Sequence, residues 1–224
     1  MPALLAGVTM LILGATGDSR FYVRSAMRLP LVIAGAVALF VGVRSALAAP
    51  EGHPHRIPRS AGFVVLPFVL LVLTPPGPLG VDSAVPVAGP QRGQTPPKVV
   101  IPPSALVGAN APDSVVEANA TSLGVDQFQF AVVELGDNFR GIAVRMIGQI
   151  RISKHADTPP QLVRFKIVCC AADAIRVSVL LDGRHVPAQG TWVEVTGQWD
   201  GDTANPGLRV VAIRTIDQPA NPYL

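Results

Sequence analysis

Cys169 and Cys170 are the only two cysteines of this 224-residue chain, and Asp173 follows three residues after the second. Thiolates are soft ligands that suit Zn²⁺ or Cu(I), and a carboxylate can complete such a set. The same pair could act as a redox dithiol, or be nothing more than small core residues, since free cysteine is among the most buried types. A disulfide between sequence neighbours needs a strained eight-membered ring, so no disulfide framework is available. The run that carries them, RFKIVCCAAD, begins at Arg164. Cys170, Asp173, Cys169 and Arg164 are therefore the candidate ligand-binding or metal residues. Adjacent side chains on an extended strand point to opposite faces, so both thiols can hold one ion only if the chain turns there.

Other groups with chemical potential carry weaker patterns. His53 and His55 flank Pro54 in a loop, and two imidazoles alone supply too few ligands for a metal site. His155 and His185 could reach a thiol or Asp173 through the fold. No nucleophile elbow, zinc-protease helix or phosphate-cradling glycine loop accompanies them, so a non-enzymatic protein with no certain cofactor is expected. Asn119-Ala120-Thr121 fits a glycosylation acceptor, which has meaning only in a eukaryotic secretory host.

The elements that would position these residues divide the chain into three stretches. Residues 1–80 form a membrane domain with two or three transmembrane helices, residues 81–122 a Pro/Gly-rich linker, and residues 123–224 a β domain. The mean hydropathy of +0.41 is high for a protein without a membrane part. Residues 29–49 are apolar but for Arg44 and Ser45 and are long enough to span. Ala46-Leu47-Ala48 at their end also resembles a signal-peptidase site. Residues 3–16 fall short of the roughly 20 needed to span and are read as a truncated or non-spanning helix. Residues 61–74 form a third apolar run, broken by Pro67 and stopped by Pro75 and Pro76.

Past the linker the pattern becomes β. Residues 126–135 fit either a short helix capped by Asp126 or a strand alternating through Phe128, Phe130 and Val132. Strands are expected over 140–153, 161–169, 175–181, 191–199 and 208–216, with Asp182-Gly183 as a turn. Gly148 and Gly197 fall in mid-strand, where sharp coiling needs them. Such a set suggests a small OB-like β-barrel, although another small barrel or a sandwich fits the same strands. Trp192 and Trp199 lie seven apart and so fall on opposite faces, one in the core and the other partly exposed.

Charge excludes one class of partner. Up to Val81 the chain holds six arginines against Asp18 and Glu51, and the remainder holds twelve Lys and Arg against thirteen Asp and Glu. The C-terminal part thus lacks the basic face that nucleic-acid binding requires, and at 5% aromatic residues it lacks stacking platforms. Arginines flank the apolar runs about equally, three (Arg20, Arg24, Arg28) against three (Arg44, Arg56, Arg59), so they leave the orientation open.

The runs RFKIVCCAADA, GTWVEVTGQW and AIRTIDQPANPYL resemble the C-terminal domain of the YcgQ-like family of bacterial membrane proteins. Gly17 and Tyr22 ahead of an apolar segment, and LPFVLLVLTPPGPLG, resemble the family's N-terminal region. The resemblance implies an accessory subunit of a transport system beside a YraQ-like permease, with membrane lipid as its other partner. It implies a multi-pass protein of the bacterial cell membrane whose C-terminal domain is extracytoplasmic, and metal acquisition, with Zn²⁺ as the implied ion. Relatives with a His- and Cys-rich loop keep more ligands there than His53 and His55, which moves attention to the Cys-Cys-Ala-Ala-Asp turn. Within it Cys170 and Asp173 follow the family pattern most closely, and Cys169 reads as the more structural thiol.

Overall fold

Alternating apolar residues build five strands that close on themselves. In the computed structural model, which describes residues 2–48, 66, 70, 77, 79–83, 85–86, 98–153, 158–182 and 185–224, these are β1 (Ala143–Arg151), β2 (Gln161–Lys166), β3 (Ile175–Asp182), β4 (Trp192–Trp199) and β5 (Gly207–Thr215). Antiparallel pairing joins β1 to β2, β2 to β3, β1 to β4 and β4 to β5. The parallel pair β3–β5 closes the ring. This is a five-stranded closed barrel, consistent with the OB type expected from the sequence. β2 ends at Lys166 rather than at residue 169, and the thiols therefore lie beyond the strand.

Two glycines and a bulge let so small a barrel close. A Cβ on Gly148 would stand 2.7 Å from the Val163 carbonyl oxygen, and one on Gly197 would overlap the Arg209 carbonyl. The β4–β5 register slips beside Gly197, where Thr196 pairs with Ala212 and Gly197 with Val210. Val211 is the extra residue. It turns outward to Val116 and Ala143, while Val210 stays in the main core and Ile213 packs against it.

The barrel is filled by Met146, Ile150, Leu162, Val193 and Leu208, all fully buried. Two helices lie on the same unit, α3 (Asp113–Asn119) and α4 (Val125–Leu135). The ambiguity over 126–135 resolves as helix: Val125, Phe128 and Val132 are buried at helical spacing, and Phe130 is not. Gly124 rather than Asp126 caps it, and its N–H donates to Gln127 Oε1 at 2.7 Å. Asp126 instead pairs with Lys166 at 3.1 Å. Phe128 meets Phe139 edge-on at 5.6 Å, and Phe139 continues the contact to Trp199.

Part of the stretch read as linker packs on the barrel. Ala105 and Val116 are fully buried. Gln198 Nε2 donates to the Gly108 carbonyl at 2.9 Å, Arg214 pairs with Glu117, and residues 121–122 add a short parallel pairing to β1. Earlier in the stretch, buried Arg176 donates to the Val81 carbonyl at 3.0 Å and Arg151 pairs with Asp82 at 3.3 Å. The two tryptophans occupy opposite faces as their spacing requires, but both are buried. Trp199 belongs to the core, and Trp192 is 8% exposed because the Arg164 guanidinium lies 5.3 Å from its ring centre.

The chain forms two compact units, Leu79–Ile167 with Ala174–Leu224, and Met1–Pro78 with Val168–Asp173. The second contains α1 (Pro2–Thr16) and α2 (Arg28–Leu47), joined by 3₁₀ turns at Asp18–Phe21 and Ser25–Met27. The helices run antiparallel along a glycine seam. A Cβ on Gly7 would stand 2.6 Å from the Leu39 amide, and one on Gly42 would meet the Leu4 backbone at 2.9 Å. Arg28 Nε donates to the Gly14 carbonyl at 2.9 Å, satisfying an acceptor near the end of α1. Within this unit Cys170 bridges antiparallel to Val23, and the Ala171 amide donates to the Tyr22 carbonyl at 2.7 Å.

Among the described residues, Ser25–Leu47 is the one helical stretch long and apolar enough to cross a membrane; a signal sequence near the N-terminus meets the same test. Leu29 and Phe40 on it are 68% and 66% exposed. α1 is 15 residues long, too short by the same measure, and residues 61–74 lie outside the described residues except 66 and 70.

The glycine requirement is directly testable. Gly148→Ala forces a methyl against the Val163 carbonyl and is expected to destabilise the barrel by ~1–3 kcal/mol, the usual range for overpacking. Denaturant unfolding of the full chain in detergent, followed by the fluorescence of its two tryptophans, reports the change.

Candidate functional site

After β2, the chain leaves the barrel at Ile167 and folds into a turn around one carboxylate. Asp173, at the end of a short 3₁₀ turn (Ala171–Asp173), accepts hydrogen bonds from the Val168 amide through Oδ1 at 2.8 Å and from the Cys169 and Cys170 amides through Oδ2 at 2.8 and 3.2 Å. Three backbone donors that a strand would have paired are thereby satisfied by one side chain. The chain no longer alternates at Cys169 and Cys170, so the opposed directions of a strand do not apply. The two Sγ atoms lie 3.7 Å apart.

Both thiols are free, Cys169 exposed and Cys170 half-buried. This corrects the alternative in which they are small core residues. One ligand atom each from Cys169, Cys170 and Asp173 lie within 4.8 Å of one another, and this is the one such group of His, Cys, Asp or Glu among the described residues. His185 is exposed and takes no part in it. His53, His55 and His155 lie outside the described residues.

The electrostatics follow from the hydrogen bonds. The Cys169 thiol donates to Asp173 and also contacts Cys170, which pushes its pKa up to about 11. For Asp173 slight desolvation opposes ionisation, but the Cys169 thiol and the three amides outweigh it and hold the carboxyl down at about 2. At neutral pH the turn therefore presents a carboxylate beside a protonated Cys169. Such a thiol is a poor nucleophile and a metal ligand only when the ion displaces its proton.

Arg164, grouped with the thiols by sequence, is placed elsewhere. It clamps the C-terminal tail, with Nε donating to the Pro222 carbonyl at 3.1 Å, Nη2 to Asn221 at 2.6 Å and Nη1 to Ile147 at 3.2 Å. Burial lowers its pKa, and Asp126 opposes that shift. The tail is fixed further by the Leu224 amide, which donates to the Phe165 carbonyl at 2.9 Å. Arg164 also lines a cavity of about 150 Å³ with Leu123, Arg145, Ile147 and Glu194, where Arg145 and Glu194 pair at 3.6 Å.

Comparison with known families bears on the barrel. Residues 124–224 match the DUF1980 C-terminal domain. The matched stretch begins at the cap of α4, takes in all five strands and the Cys-Cys-Ala-Ala-Asp turn, and ends with the tail held by Arg164. The chain matches no curated protein and no solved structure. The likeness to the DUF1980 C-terminal domain thus covers the barrel and carries no activity with it.

Alkylation kinetics test the electrostatics of the turn. In the full chain, modification of Cys169 is expected to accelerate about tenfold per pH unit from neutrality toward pH 11, because only the thiolate reacts. Asp173→Asn removes the charge that holds the proton and brings the profile toward the ordinary thiol value. At the acid end, Asp173 has a depressed pKa, so its stabilisation of the turn is complete above the ordinary carboxylate value and is lost as pH falls toward 2. Amide exchange at Val168 to Cys170 should rise over that interval.

Proposed function

We propose that the protein is a non-enzymatic accessory subunit of a bacterial membrane transport system, one that uses the turn at Cys169, Cys170 and Asp173 to bind the transported species or to gate its passage. The observation that carries this reading is the convergence of three donor atoms on an exposed turn, in a chain that also has a helix apolar enough for a membrane. The ligands are soft, which favours a role in metal acquisition, with zinc as the ion. The partner in this reading is a YraQ-like permease, the chain is multi-pass, and the barrel is extracytoplasmic. These features follow from the resemblance to the YcgQ-like family.

Binding rather than catalysis is favoured by the chemistry of the turn. Cys169 keeps its proton at neutral pH, and no histidine stands beside it among the described residues to act as a base. The carboxylate that would orient such a base is already engaged by three amides. A fixed carboxylate with two thiols suits holding a cation better than cleaving a bond.

A second reading, a redox dithiol, draws on the 3.7 Å separation of the thiols, which could close into a vicinal disulfide. The two readings differ in the state of the isolated protein. In the accessory-subunit reading the thiols are reduced, and the chain purified from its host membrane in mild detergent retains a permease. Recovery without any permease, together with a mass two hydrogens lower that a reductant restores, would favour the redox reading. An impermeant thiol reagent applied to intact cells should label Cys169 if the barrel is extracytoplasmic.

A further inference from the structure

We infer that Cys169, Cys170 and Asp173 form an open, tetrahedral site for a Zn²⁺-type divalent cation, with two thiolates, one carboxylate oxygen and a fourth position free for an exchanging ligand. The inference rests on the reading that this turn binds a ligand, and it assigns the coordination number, the geometry and the lability of the site.

The spacing of the sulfurs suits one class of ion. A tetrahedral ion with bonds of ~2.3 Å to sulfur holds its two sulfurs ~3.8 Å apart, whereas a linear two-coordinate ion with the same bonds holds them ~4.6 Å apart. The Sγ atoms stand at 3.7 Å, within about a tenth of an ångström of the tetrahedral edge. They are far outside the ~2.05 Å of a disulfide. Sulfur and oxygen on the same tetrahedral ion lie ~3.6 Å apart. The donor atoms of the turn already lie within 4.8 Å of one another, so a rotamer adjustment of an exposed side chain completes the set.

The hydrogen bonding of Asp173 permits it to serve as a ligand without unmaking the turn. An ionised carboxylate offers about four lone-pair positions. Three hold the amides of Val168, Cys169 and Cys170, one on Oδ1 and two on Oδ2, which leaves a position on Oδ1 for a cation. When the cation binds, each thiol that carries a proton gives it to solvent as its metal–sulfur bond forms, and the remaining Oδ1 position of Asp173 faces the metal. No other His, Cys, Asp or Glu among the described residues joins the group. Closed structural zinc sites have four protein ligands, and sites with three keep a position for water or an incoming ligand. An open position lets an acceptor attach before the protein ligands let go, as cation transfer to a partner requires.

The test uses the full chain in detergent, loaded with Co²⁺ as a spectroscopic stand-in and then titrated with Zn²⁺ against a chelator. Expected are intense tetrahedral d–d bands with thiolate-to-metal charge transfer, displacement of Co²⁺ by one equivalent of Zn²⁺, and a shift of the bands on adding imidazole without loss of the metal. Cys170→Ser should weaken Zn²⁺ binding by at least about 100-fold, and Asp173→Asn by about 10–100-fold. Tryptophan fluorescence of both variants, unchanged from the parent, separates loss of ligation from loss of fold. Weak octahedral bands, affinity indifferent to Cys170→Ser, or a spectrum that imidazole leaves untouched would overturn the inference. Failure here is distinct from failure of the functional reading, which is read by permease co-purification: an open Co²⁺ site in a chain with no permease upholds the site and removes the partner.

Discussion

The Asp173 carboxylate accepts the amides of Val168, Cys169 and Cys170, and the conformation of the turn follows from satisfying those three donors at once. An extended continuation of β2 would have offered the same amides to a neighbouring strand and sent the two thiols to opposite faces. Wrapping around a carboxylate instead brings the sulfurs within 3.7 Å. The same contact raises the Cys169 pKa and depresses that of Asp173, so geometry and electrostatics have one origin. Asp173 is thus first an organiser of backbone and only then a donor atom. Replacing it disturbs both roles, whereas replacing Cys170 disturbs chiefly one.

A turn of this kind is useful only if its ends are held. Before it, Phe165 and Ile167 are buried with Tyr223, and after it β3 begins at Ile175. Arg164 holds the tail that carries Tyr223 by donating to two of its carbonyls, and it covers Trp192 with the face of its guanidinium. The arginine nearest the thiols in sequence thus spends its donors on the tail and on the Ile147 carbonyl. Barrel closure depends on equally local constraints. Gly148 and Gly197 admit carbonyls where a side chain would collide, and the bulge at Val211 serves two cores with one strand.

Strand positions were legible because half-buried strands alternate, and the five found lie within the expected stretches apart from ends shifted by one to three residues. Residues 126–135 were ambiguous for a definite reason. Phe128, Phe130 and Val132 satisfy period two, while Val125, Phe128 and Val132 satisfy the helical period, and the burial of Val125 but not of Phe130 decides. The turn was hidden because its cause is a side chain that reaches back three to five residues, which no periodicity reports. The destination of Arg164 was hidden as well, although Pro219 and Pro222 hinted at it. A tail with few amide donors must be held through its carbonyls. A stretch rich in Pro and Ala, read as a linker from its composition, still buries Ala105 and Val116.

Two thiols and one carboxylate on one turn, in a chain with an apolar helix, fit the proposal of a cation that is held briefly and passed on. Zinc K-edge absorption fine structure of the full-length protein in detergent addresses that idea at the atoms concerned. The coordination proposed above predicts two sulfurs at ~2.3 Å and two lighter atoms at ~2.0–2.2 Å. A shell of four sulfurs, a shell with none, or a six-coordinate oxygen environment would contradict it.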